Sequence, residues 1–236
     1  MKIAIPDLRQ KVIMKTIVIT GGSDGLGKAL AEKLAPENKV IILARSKAAL
    51  HTIAQDLGCA YYVCDVRDAK QVAGTFEKIT KEHGKIDVLI NNAGVIVNGE
   101  LDKISDETIE NVITTNTLGT IYAAKQAFAR MKQQQQGLIL NVVSTAGLTA
   151  KATRGVYNAS KWAITGFTKA LQEEAAEYNV RVTGFYPGTI KTNLFAKAGL
   201  PISGKALTTD QAVKAIEFVL SCDDEVLVPE IGVRPL

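Results

Sequence analysis

Short apolar runs alternate with longer amphipathic stretches along the chain, and that alternation predicts βαβ units wound around a parallel sheet. The runs at 16–20 (TIVIT), 39–43 (KVIIL), 60–63 and 87–90 (DVLI) predict the first four strands, and those at 138–143 (LILNVV), 180–185 and 226–228 the last three. Most are unbroken apolar blocks, as expected of strands covered on both faces by helices. Between them, apolar positions at helical spacing predict helices over 25–35, 47–57, 69–83, 106–131, 157–178 and 209–221. Ser105 stands where it can cap the long fourth helix, and the glutamines at 133–136 read as a solvated turn after it. No repeat or linker interrupts the series. The pattern predicts an α/β fold: one doubly wound domain with a seven-stranded, mostly parallel sheet flanked by helices on both faces. Residues 1–13 precede the first strand, have no place in the pattern and read as a possible N-terminal extension.

Composition narrows the class. A chain of 236 residues is within reach of one core, and 47% apolar with 22% charged residues reads as soluble and globular. No stretch approaches the roughly 20 apolar residues of a membrane span, so no membrane partner is expected. Lys2, Asp7 and Arg9 break up the N-terminus, against a signal peptide. Cys59, Cys64 and Cys222 are odd in number and lack metal-ligand spacing, which predicts reduced thiols in a cytoplasmic protein and no metal. The net charge of +4 arises from basic residues interspersed with acids, a poor footprint for nucleic acid. His51 and His83 lie in polar helical stretches and read as solvent-facing.

The first predicted strand runs into Thr20-Gly21-Gly22-Ser23-Asp24-Gly25-Leu26-Gly27 and then into a helix. Glycines in such a turn let the backbone approach a pyrophosphate, and the helix N-terminus supplies free N–H groups and partial positive charge. This makes the fold a Rossmann-type one and the chain a candidate dinucleotide binder. The end of the second strand meets the adenosine ribose, where an acid would bind a free 2′-hydroxyl. Here Ala44 is followed by Arg45 and Ser46, and a guanidinium suits the 2′-phosphate of NADP. Asp24 argues the other way, by placing a negative charge near that phosphate. NADP is the preferred expectation and NAD the alternative.

Tyr157-Asn158-Ala159-Ser160-Lys161 opens the next-to-last predicted helix, so Tyr157 and Lys161 share one face. An ammonium near a phenol favours the phenolate and lowers its pKa from near 10 toward the working range. Tyr157 is thus a candidate acid–base group and Lys161 its electrostatic support. Ser144 follows the fifth strand, at the sheet edge where open parallel sheets bind ligands. Its hydroxyl can donate to a carbonyl oxygen that gains charge.

In these motifs the chain resembles the short-chain dehydrogenase/reductases, in the branch with a TGxxxGxG loop and a YxxxK pair. The resemblance runs from Thr16 to about Thr192. It includes Asp65-Val66, Asn91-Asn92-Ala93-Gly94, Asn116, Ser144, Tyr157, Lys161, and Pro187-Gly188 with Thr192, all in the family's order. It implies that Asp65 and the Val66 backbone hold an adenine and that Asn91 to Gly94, with Asn92 and Ala93 between, flank the adenosine. It implies that Asn116 distorts its helix and holds a water linking Lys161 to solvent. Lys161 would also bond the nicotinamide ribose, while Ile190 and Thr192 fix the carboxamide. The ending Val228 to Leu236 is similar to that of small NADP-dependent hydroxy-acid and aldehyde reductases in the family. Family members are usually homotetramers or homodimers, and Ala123, Ala124 and Ala127 would allow either close subunit packing or burial within one chain.

The function expected is hydride transfer between NADP(H) and a small aldehyde, ketone or hydroxy acid. The alternative is a catalytically silent dinucleotide-binding regulator, which would be expected to lose Ser144, Tyr157 or Lys161. A hydrolase built on Ser144 lacks a placed histidine, and only 75 residues follow Lys161, too few for the large substrate domain of the extended isomerases. Residues 193–207 read either as a substrate lid or as a surface loop with a few packed apolar residues. Arg154 is a candidate for meeting a substrate carboxylate, or a solvent-exposed side chain.

Overall fold

A computed structural model describes residues 14–202 and 204–236; residues 1–13, and with them the possible extension, lie outside the described residues. The elements follow in the order β1 (Thr16–Thr20), α1 (Gly25–Leu34), β2 (Lys39–Ala44), α2 (Lys47–Leu57), β3 (Ala60–Val63), α3 (Ala69–His83) and β4 (Val88–Asn91). The second half contains α4 (Asp106–Ile113), α5 (Gly119–Gln134), β5 (Gly137–Val142), α6 (Gly155–Ala176), β6 (Val180–Pro187), α7 (Asn193–Lys197), α8 (Thr209–Ser221) and β7 (Glu230–Val233). The strands form one seven-stranded sheet in the order β3-β2-β1-β4-β5-β6-β7, and every pairing is parallel.

The strands read as unbroken apolar blocks because their side chains feed two cores. Ile17 and Ile19 of β1, with Val40 and Ile42 of β2, pack against α1, α2 and α8 on one face. Val18, Ile41 and Leu43 point the opposite way, into α3, α5 and α6. The period of two is present, but both of its faces are apolar. Ala123, Ala124 and Ala127 are fully buried in the second core, so packing within the chain accounts for these small residues.

Two elements differ from the sequence expectation. The stretch 106–131 is not one helix: a π-helical segment, Thr114–Leu118, separates α4 from α5. Gln134 is not a solvated turn residue either, since its amide exchanges hydrogen bonds with the Ile86 backbone, and the chain turns at Gln135 in the left-handed region. The last strand is Glu230–Val233 rather than 226–228. Arg181 explains the shift: its guanidinium donates to the carbonyls of Cys222, Asp223 and Val226 and to the Asp224 carboxylate, holding that segment as a turn. Pairing with β6 begins only at Pro229, whose carbonyl accepts from the Gly184 N–H. Val226 and Leu227 stay exposed. His83 is half-buried and meets the Tyr62 hydroxyl at 2.9 Å, so it is not simply solvent-facing.

Candidate active site

The order of the strands reverses at β1, and a crevice opens over the carboxyl ends of the strands beside it, where such sheets bind ligands. A cavity of about 630 Å3 lies there. Its wall is built from the segments after β1 to β6, so residues far apart in the chain meet along one groove.

At one end stands the turn between β1 and α1. Gly27 packs so closely on the Gly21 carbonyl that a Cβ would lie 2.3 Å from its oxygen. Gly25 has φ +53°, and a Cβ there would press on Thr192 at 3.2 Å, so the glycine loop touches the segment after β6. Ser23, Asp24 and Leu26 complete this wall. Thr20 braces it, its hydroxyl accepting from the N–H groups of Asn92 and Ala93, while the Asn92 amide donates to the carbonyls of Thr20 and Gly21. Gly94 completes that turn on the cavity wall. A groove lined by bare backbone, opening at the N-terminus of α1, fits a pyrophosphate.

Farther along the same wall Arg45 is exposed, next to Ser46, whose hydroxyl caps α2 by accepting from the Ala49 N–H at 3.4 Å. A guanidinium beside a helix N-terminus makes a positive corner at the end of β2. Asp65 and Val66 also line the cavity. The Asp65 carboxylate is held by Arg67 through contacts of 2.6 to 3.0 Å, and that guanidinium, together with Arg45, keeps the carboxyl below the usual carboxylate range. The sequence reading missed Arg67; its only signal was a basic residue two positions after the acid.

Asp24 does not present an uncompensated charge to this groove. Its carboxylate accepts from the Gly25 N–H at 2.7 Å, from the Asn193 amide at 3.2 Å and from Lys197 Nζ at 2.5 Å. The expectation that it opposes a phosphate is weakened by an ammonium supplied from α7.

The other end of the cavity gathers Ser144, Tyr157 and Lys161. Ser144 has φ +121°, a strained value for a residue with a Cβ. Its neighbours hold it there: the Ser144 N–H donates to Phe185 of β6, and the Asn158 amide donates to the carbonyls of Ala146 and Thr149. Tyr157 and Lys161 are both only 6% exposed. Burial raises the Tyr157 pKa above its ordinary value, and the Ser144 hydroxyl and the Arg154 charge oppose the rise. Lys161 Nζ donates to the Val142 carbonyl at 3.0 Å and stands 5.9 Å from the centre of the Tyr157 ring. Burial brings its pKa down to about 8. Burial works against the lowering of the phenol's pKa expected from the neighbouring ammonium. Desolvation dominates both groups, and Tyr157 is held as a neutral phenol.

Asn116 is buried in the π segment. Its amide donates to the Val95 carbonyl at 2.9 Å and to the Ser160 hydroxyl at 3.0 Å, and its carbonyl oxygen accepts from the Val95 N–H. Ser160 in turn donates to the Tyr157 carbonyl. Asn116 thus ties the turn after β4 to the helix that carries Tyr157 and Lys161. Ser160 and Asn158 were given no role from the sequence, although both are polar residues within the Tyr157–Lys161 turn.

Pro187 and Gly188 end β6 at the cavity, and the Gly188 N–H is tied to Val233. Ile190 bridges to Leu207, and Thr192 caps α7, accepting from the Leu194 N–H. α7 lays Phe195 against Ile96 and Tyr157, forming an apolar wall beside the phenol. Among the described residues, no helix is long and apolar enough to cross a membrane.

A parallel sheet with a glycine-lined cradle and a cationic corner along its carboxyl edge defines a dinucleotide-binding type of α/β fold. The sequence profile described as short chain dehydrogenase matches residues 15–201. The chain belongs to that family, and it is an NAD(P)-dependent enzyme. It is 33% identical over 216 residues to a human 3-oxoacyl-[acyl-carrier-protein] reductase, covering 87% of this chain and 91% of the relative. An alcohol dehydrogenase from the archaeon Thermococcus sibiricus, complexed with 5-hydroxy-NADP, superimposes with TM-score 0.85 at 28% identity, covering 94% of this chain and 96% of that one. The closed form of a serine dehydrogenase complexed with NADP+ gives TM-score 0.87 at 27% identity, over 92% and 94% of the two chains.

Proposed function

We propose that this enzyme interconverts a carbonyl and an alcohol with NADP(H) as its redox partner, within one unit in which α7 and the residues just after it, 198–202, form the lid over the substrate. NADPH, when bound, supplies the hydride. The chain's own residues do the rest. The loop from Gly21 to Gly27 receives the pyrophosphate, and Arg45 and Ser46 receive the 2′-phosphate. Asp65, Val66, Asn92, Ala93 and Gly94 flank the adenosine half, and Pro187, Gly188, Ile190 and Thr192 orient the nicotinamide half. Ser144 donates a hydrogen bond to the substrate oxygen. Tyr157 passes its proton to that oxygen as charge develops. Lys161 stabilises the phenolate left behind, and Asn116 positions Lys161 and Tyr157 through Ser160.

The observation that carries this reading is the buried phenol of Tyr157, gathered with Ser144 and Lys161 in the same groove as the glycine loop. A phenol whose pKa is raised keeps its proton through neutral pH and is suited to protonate a stronger base such as an alkoxide. The convergence of Ser144, Tyr157 and Lys161 argues against the catalytically silent alternative. NADP-complexed neighbours of the same fold support NADP over NAD.

The test is a fluorescence titration with NADPH and NADH, followed by NADPH oxidation with a panel of aldehydes, ketones and oxo-acids. Tighter NADPH binding and turnover that collapses in Tyr157→Phe, with NADPH binding kept, are expected. Undiminished turnover by Tyr157→Phe would refute the role given to that residue.

A further inference from the structure

The charges lining the cavity are not balanced. Its carboxylates are Asp24 and Asp65, and each is already paired, Asp24 with Lys197 and Asp65 with Arg67. On the Ser144 and Tyr157 side the cavity is lined by Lys151 and Arg154, and among the described residues neither forms a salt bridge. Arg154 is half-buried, so its charge is not simply immersed in water. It is also the residue that precedes the 22-residue helix α6, a position with no side-chain cap, so the unpaired N–H groups and partial positive charge of a long helix add to the same corner. Arg154 and Tyr157 line the same cavity, and the Arg154 charge opposes the rise that burial imposes on the phenol.

We propose that Arg154, assisted by Lys151, forms a carboxylate subsite, and that the substrate is a small oxo-acid, or the corresponding hydroxy-acid in the reverse direction. The inference rests on the carbonyl–alcohol reading above and adds the substrate class. Arg154 stands three residues before Tyr157, immediately before the first residue of α6, and both line the same end of the cavity. On this proposal a molecule whose carbonyl oxygen meets Tyr157 and Ser144 sets its carboxylate against Arg154, and the best-fitting spacing between the two groups is read from the oxo-acid series. The planar guanidinium fork matches the two oxygens of a carboxylate. Phe195 and Ile96 add apolar surface beside Tyr157, which suits a short carbon skeleton.

The experiment compares 2-, 3- and 4-oxo-acids of three to five carbons with their methyl esters, in NADPH-dependent reduction by the wild type, Arg154→Gln and Arg154→Lys. The readout is the ratio of kcat/KM for acid over ester, which cancels any general effect of Arg154 on Tyr157. A ratio of about 30 or more is expected for the best acid. It should fall to near one in Arg154→Gln and recover in part in Arg154→Lys, with NADPH binding reporting that each variant is folded. A third arm compares a 3-oxoacyl thioester of phosphopantetheine with that of N-acetylcysteamine. Acid and ester reduced alike, or a ratio untouched by Arg154→Gln, would overturn the carboxylate subsite while leaving the redox activity standing. A preference for the phosphopantetheine thioester that Arg154→Gln abolishes would overturn it in favour of a phosphate. No NADPH oxidation with any carbonyl would instead sink the activity on which the subsite depends.

Discussion

Asp24 and Lys197 are 173 residues apart in the chain and form an ion pair at 2.5 Å, joining the phosphate loop to the helix that covers Tyr157. The lysine is 68% exposed, so the pair is screened by solvent and contributes little to folding by itself. Its larger effect is on the local charge, because it cancels a carboxylate at the edge of the anion site.

Lys197→Gln should therefore weaken NADPH binding by about 3- to 10-fold, and Asp24→Asn in the same chain should restore most of the loss. Fluorescence titration at low and high salt measures both. Additive losses in the double variant would mean that the pair does not act as a unit.

Arg45→Ala should cost NADPH roughly 10- to 100-fold in Kd, the range of one charge-assisted phosphate contact, and should leave NADH within about threefold. Equal losses for the two cofactors would move the 2′-phosphate site away from the end of β2.

Lys161 carries a stability cost that its position makes measurable. Burial lowers its folded pKa to about 8, below the unfolded value of 10.5. Below pH 8 the lysine is charged in both states, and the folded state bears the full desolvation cost. Between about 8 and 10.5 the unfolded chain binds more protons, so stability rises with pH there. Lys161→Met should be inactive yet more stable at pH 7, by about 1–3 kcal/mol after the lost bond to Val142 is allowed for. Thermal melts from pH 7 to 10.5 should show the gap closing; a variant less stable than wild type at pH 7 would contradict the account.

The same pKa sets an alkaline limb for catalysis. If the Lys161 ammonium supports the Tyr157 phenolate, kcat/KM for carbonyl reduction should fall as pH rises through about 8. The Tyr157 proton, held by burial, is lost only at higher pH. A profile flat to pH 10 would exclude a charged Lys161 from the step.

Asn158→Ala removes two of the bonds that fasten the loop after Ser144 to α6 and leaves that of the Thr165 hydroxyl to the Gly147 carbonyl. Melting stability should drop by about 1–3 kcal/mol, and kcat should fall more than tenfold with NADPH binding little changed, because the strained Ser144 loses its support. A kcat equal to wild type would show that β6 and Thr165 suffice to hold Ser144.

How much of this was legible beforehand depends on the range of the forces involved. β1, β3, α2, α3 and α8 are where the apolar periodicity placed them, because each is decided by neighbours in sequence. The glycine loop and the residues of the catalytic end were legible for a similar reason: backbone approach to a phosphate and paired side chains on one helical turn leave local signatures. The misplaced β7 and the unbroken fourth helix failed where distant side chains decide. Arg181 captures the carbonyls after α8 and delays the strand, and Asn116 is bonded to Val95 and Ser160 where its helix widens to a π turn.

The sequence by itself determined a parallel α/β sheet, a glycine-lined turn after its first strand and the residue types at the sheet's carboxyl edge, since those follow from hydrophobic period and local backbone chemistry. Only the tertiary structure decided what charge each of them carries and meets. Burial, not the nearby lysine, governs Tyr157. Asp24 is neutralised from a helix 173 residues away, and the cavity retains Lys151 and Arg154 on its substrate side. Electrostatics depends on distance and solvent exposure, and neither is written in the spacing of residues along a chain.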